Sequence, residues 1–75
     1  MGTIHPLSAK KVIQKLKKLG FIETYQRGSH VYLEHTERKK IVTVPLHGSK
    51  DVPTGTLHNI VAKQAGLSAE EFNKA

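Results

Sequence analysis

Phe21-Ile22-Glu23-Thr24-Tyr25-Gln26-Arg27-Gly28-Ser29-His30-Val31-Tyr32-Leu33-Glu34 is the stretch that decides the fold. Residues 21–25 and 31–34 are rich in aromatic and β-branched side chains, the composition of strands. Gln26 to His30 reads as the turn between them, with Gly28 supplying backbone freedom. The turn also gathers a guanidinium, a hydroxyl and an imidazole at Arg27, Ser29 and His30. Downstream, His35 and Thr36 extend the second run, and Glu37-Arg38-Lys39-Lys40 is a charged connection. Ile41-Val42-Thr43-Val44 is a third β-rich run, stopped by Pro45, which cannot donate to a ladder. Three strands with short turns predict an antiparallel meander.

Helical periodicity flanks the meander on both sides. Val12, Ile13, Leu16 and Leu19 recur at helical spacing after Ser8, a good N-cap. Lysines 10, 11, 15, 17 and 18 fill the opposite face. Lys17 and Lys18 suit the helix dipole, whereas Lys10 and Lys11 oppose it, at a cost of a few tenths of a kcal/mol that a polyanion would offset. Gly20 is placed to end this helix in a left-handed turn, with Phe21 folding back. After a loop over residues 46–52, Thr54 or Thr56 caps a second helix with the stripe Leu57, Ile60, Val61 and Ala65, closed by Gly66 and Leu67. Ser68-Ala69-Glu70-Glu71 is a capping box opening a last short turn that carries Phe72. The expected fold is α+β, two layers in the order α-β-β-β-α, with both helices on one face of a three-stranded antiparallel sheet. Residues 1–7 read as a loose lead-in, 8–72 as a single domain and 73–75 as a fraying tail.

Bulk properties narrow the partners. The 75-residue chain has length for one thin core. It has no cysteine, which removes disulfide and thiolate metal sites. No apolar run suits a membrane span or a secretory signal, so a cytoplasmic protein is expected. Twelve Lys and Arg against six Asp and Glu give a net charge of +6. That balance favours a polyanion, a nucleic acid or an acidic protein.

Five histidines invite chemistry: His5, His30, His35, His47 and His58. Their spacing disfavours a metal site. No pair is placed for ligation on a helix, and His30 and His35 fall on opposite sides of a strand. Ser29 and His30 are adjacent on extended backbone and diverge, which disfavours a serine nucleophile. RNA cleavage asks for less, because the nucleophile is the substrate's own 2′-hydroxyl. It needs a proton acceptor, a donor for the leaving oxygen and cations for the phosphate. An imidazole titrates close to neutral pH, Gly28 lets backbone approach a phosphate, and Arg27 can bind its oxygens. On the residues alone, His30 is open to two readings, an acid–base group or a plain turn residue. Tyr25 and Tyr32 read as half-buried sheet aromatics, although tyrosine faces also stack on bases.

The ordered set Gly28-Ser29-His30, Val44-Pro45-Leu46-His47, Pro53-Thr54-Gly55-Thr56-Leu57 through Ile60, and Gln64-Ala65-Gly66-Leu67-Ser68 follows a basic helix ending in Leu19-Gly20-Phe21. Over residues 8–72 the chain resembles the HicA (YcfA-like) toxins. The resemblance implies a fold like a double-stranded-RNA-binding domain. It also implies the toxin of a type II toxin–antitoxin system, a metal-independent, cofactor-free endoribonuclease (an mRNA interferase) that cleaves mRNA and arrests translation. His30 is then the catalytic histidine, framed by Gly28 and Ser29, and a HicB-like antitoxin is the partner that covers it. His47 falls in the family's Pro-x-His element as an RNA-contact residue, and His58 stands where many relatives are basic. Lys10, Lys11, Arg27, Lys39 and Lys40 complete the expected RNA-binding set. Two other classes compete: a non-catalytic RNA-binding module, and a protein-interaction domain with an acidic partner.

Overall fold

The computed structural model describes residues 4–46 and 50–75. The elements, in order, are β1 (Leu7–Ser8), α1 (Ala9–Lys18), β2 (Ile22–Arg27), β3 (His30–His35), β4 (Lys40–Pro45), β5 (Asp51–Val52), α2 (Thr54–His58) continuing into a π-helical segment (Asn59–Gln64), and α3 (Ala69–Lys74). Strands β2, β3 and β4 form an antiparallel sheet in that spatial order. The protein is therefore α+β, with the three-stranded meander and flanking helices that the sequence predicts.

Alternation builds the core. Val31 and Leu33 on β3, and Val42 and Val44 on β4, are buried on one face of the sheet. They form one cluster with Val12 and Leu16 of α1, with Leu57, Ile60 and Val61 of the second helix, and with Phe21 and Phe72. Burying one such side chain contributes roughly 1.5–3 kcal/mol. Among the described residues the opposite sheet face carries no helix and presents Ile22, Tyr25 and Ile41 to solvent.

Local signals at the helix ends hold. Ser8 caps α1, its Oγ accepting from the Lys11 N–H at 3.3 Å. At the other end the Phe21 N–H donates to Leu16 O at 3.0 Å and the Gly20 N–H to Lys17 O at 3.1 Å, a complete Schellman closure. Gly20 has φ +101°, and a Cβ there would lie 2.7 Å from His35 Nε2. Ser68 and Glu71 form the reciprocal capping box.

Several expectations change. The turn of the first hairpin shrinks to Gly28-Ser29, because Arg27 and His30 pair within the ladder. Leu7 is no part of a loose lead-in: it pairs with Val52, and Ser8 with Asp51, so β1 and β5 tie together the chain entering α1 and the chain entering α2. Two-residue strands are too short to show a period, which is why 46–52 reads as loop. α2 begins at Thr54 with Pro53 in the cap position, and neither Thr54 nor Thr56 caps it through a side chain.

The π-helical turns place Gln64 against the free edge of β4. Its Oε1 accepts from the Thr43 N–H at 2.8 Å, satisfying a donor that points away from β3. Asn73 and Lys74 belong to α3 rather than to a frayed tail. Lys15 holds that end: its Nζ donates to the carbonyls of Phe72, Asn73 and Ala75 at 3.5, 3.3 and 3.1 Å. The same ammonium lies 5.5 Å from the Phe72 ring centroid.

Candidate active site

The Arg27–His30 end of the first hairpin collects the chemistry. Gly28 occupies the first of the two turn positions with φ +57°, the placement of glycine in type II′ hairpins. Among the described residues nothing lies within 4 Å of where a Cβ would stand at Gly28. Arg27 and His30 are direct cross-strand partners, and both are exposed. On its other side His30 pairs with Pro45.

The Leu46 N–H donates to Ser29 O at 2.6 Å. His30 and Pro45 are therefore a non-hydrogen-bonded pair, the kind in which facing side chains lie closest. Pro45 needs no N–H at this position because its nitrogen faces the outer edge of β4. Two stretches far apart in the sequence, Gly28-Ser29-His30 and Val44-Pro45-Leu46, thus meet as neighbours across the β3–β4 ladder.

A β-bulge decides what shares a face with His30. The register of β2 shifts between Glu23, paired with Leu33, and Tyr25, paired with Tyr32. Thr24 is the extra residue, and its Oγ1 lies 3.5 Å from Tyr32 O. Leu33 is buried on the helix side, so its partner Glu23 is on that side too. Strict alternation would then send Tyr25 and Arg27 to the helix side as well. The bulge reverses the phase and delivers both to the open face. That face carries three rows across the strands: Ile22–Glu34–Ile41, Tyr25–Tyr32–Thr43 and Arg27–His30–Pro45. Ile22 and Tyr25 both being apolar at a spacing of three is the sequence signal for this shift.

The remaining candidates separate. Lys10 lines a groove of about 340 Å³ with Ile13, Gln14, Lys17, Gln26 and Leu46, on the helix side of the same hairpin end. Lys11 is exposed on α1. Lys39 and Lys40 lie at the other end of the sheet. Lys40 pairs with His35, five residues along β3 from His30, or roughly 17 Å by strand rise. The structure therefore does not bring Lys39 and Lys40 to His30. His47 lies outside the described residues. His35 has a structural place: its ring meets Phe21 edge-on at 5.1 Å, and its Nδ1 accepts from the Arg38 N–H at 3.3 Å. Among the described residues no three His, Asp or Glu side chains converge as a metal site would require.

Meander, helix layer and open sheet face together define a domain of the double-stranded-RNA-binding-domain class. The family model for the HicA toxin of bacterial toxin–antitoxin systems matches residues 9–67. The chain belongs to that family. No curated protein matches it.

Proposed function

We propose that this toxin is a metal-independent endoribonuclease that cleaves mRNA and arrests translation, with His30 as its acid–base group. In this reaction the 2′-oxygen of the RNA attacks the adjacent phosphorus, and the bond from phosphorus to the 5′-oxygen breaks. His30 either accepts the 2′-hydroxyl proton or donates a proton to the departing 5′-oxygen. Arg27, one cross-strand step away, neutralises charge on the phosphate, and Gly28 lets backbone come close to it. A HicB-like antitoxin silences the toxin by covering His30.

The observation that carries this reading is the placement of His30. It is exposed at the start of β3, cross-strand from Arg27 and next to the Gly28-Ser29 turn. Arg27 shares the face of His30 because the two are direct cross-strand partners across the two-residue turn. The test is incubation of purified protein with single-stranded RNA in the presence of a chelator. The parent should cut the RNA, and His30→Ala, folded to the same extent by circular dichroism, should lose at least a hundred-fold in rate, within the usual range for a general acid or base. Undiminished cleavage by His30→Ala would sink the assignment.

A further inference from the structure

We infer that Tyr25, supported by Tyr32, is a stacking platform for one unpaired base of the RNA, next to the phosphodiester whose cleavage His30 assists. The inference rests on the ribonuclease reading and adds to it a substrate-positioning site.

Four observations converge on Tyr25. It is 58% exposed, although it lies inside a strand. Its ring is 5.6 Å from that of Tyr32, tilted by 47°. Tyr32 therefore contacts the Tyr25 ring at a tilt while much of Tyr25 stays exposed. The pair occupies the row adjoining Arg27–His30–Pro45, and Tyr32 stands two residues from His30 on the same strand. That is about 7 Å along β3, a step one nucleotide can span once its base is unstacked from its neighbour. Finally, Tyr25 lies two residues from Arg27 on β2, in regular register, so the two side chains share this face.

A cross-strand tyrosine pair can stabilise a hairpin by itself. A packing role alone would favour a more covered Tyr25 ring. The chemistry of the face also limits the ligand. On this face the hairpin row carries Arg27 and His30, whereas a farther row sets Glu34 between the exposed Ile22 and Ile41, with Lys40 paired to His35 at the ladder position beyond. Within this face Arg27 is the residue that suits a phosphate, and Glu34 does not. The footprint is thus one phosphate at the Arg27–His30 row and one base at the tyrosine row, with selection for single-stranded RNA because a paired base offers no free face.

Binding is measured in the non-cleaving His30→Ala protein, using short single-stranded RNAs that carry 2-aminopurine on one side or the other of the cleaved bond. One of the two probes should be quenched on binding. Tyr25→Ala should abolish that quenching and weaken binding roughly ten- to hundred-fold, the range for loss of one aromatic–base stack. Tyr25→Leu, which keeps bulk without a π face, should behave like Tyr25→Ala, and Tyr25→Phe should recover the quenching. An abasic nucleotide at the quenched position should weaken binding to the Tyr25-containing protein and weaken binding to Tyr25→Ala no further. Absence of quenching at both positions, or equal binding by Tyr25→Ala, overturns the platform. Failure of the parent to cleave any RNA refutes the ribonuclease reading instead, and leaves the stacking measurement to be judged separately.

Discussion

Gly20 and Gly28 both have positive φ, +101° and +57°, yet they do different jobs. Gly20 is hemmed in by the His35 ring, 2.7 Å from where a Cβ would stand. Around Gly28 nothing among the described residues lies within 4 Å of that position. Gly20→Ala should therefore destabilise the fold by roughly 1–3 kcal/mol. Gly28→Ala should cost only its left-handed backbone, about 1–2 kcal/mol. Urea midpoints will rank the two. The double variant Gly20→Ala with His35→Ala should lose less than the sum of the single changes, because the clash is shared. Gly20 was legible in the sequence because a helix end announces itself within a few residues: a stripe stops, and a glycine and an apolar residue follow. Arg27 and His30 were legible as chemistry but not as strand residues, since only hydrogen bonding across the hairpin decides how short its turn is.

At the scale of elements, α3 depends on one side chain from α1. Lys15 satisfies carbonyls of Phe72, Asn73 and Ala75, which end the last helix. Lys15→Met keeps the apolar stem and removes the donor. It should speed hydrogen exchange at the amides of α3 selectively and lower global stability by about 1 kcal/mol. Unchanged exchange in α3 would show that the clamp is incidental. This contact spans 57 residues or more in the chain, so no local pattern could reveal it, and Lys15 reads as one more cation on a basic face. The capping box at Ser68, by contrast, was legible because all of its partners lie within four residues. The bulge at Thr24 was half legible: Ile22 and Tyr25 break the alternation, but the break identifies no face until the pairing with Leu33 and Tyr32 is known.

At the scale of the whole molecule, the candidate RNA-contact lysines Lys10, Lys39 and Lys40 stand toward two ends of the sheet. Lys10 stands by the hairpin end that carries Arg27 and His30, while Lys39 and Lys40 stand at the far end of the sheet. If RNA engages the hairpin end, Lys10→Ala should weaken binding and reduce the dependence of log affinity on log salt by about 0.7. The pair Lys39→Ala and Lys40→Ala should leave the slope unchanged. Titrations at several salt concentrations will separate the two ends, and equal slopes for both variants would mean that the whole basic surface acts without direction. Composition made a polyanionic partner legible; which lysines share an end with the histidine depends on strand order.

Thr24 gives β2 two phases. Residues before it and residues after it follow opposite rules about which side they show. Insertions and deletions in a surface turn merely lengthen or shorten a connection, but a residue gained or lost here changes which half of the strand faces the helices. Two descendants of one ancestor could share every letter around Tyr25 and Arg27 and differ by this single position. One would keep Ile22 on the open face and Glu23 toward the helices, and the other would exchange them while the row at the turn stayed in place. Divergence within such a lineage is therefore better judged by the parity of this strand than by its percentage identity.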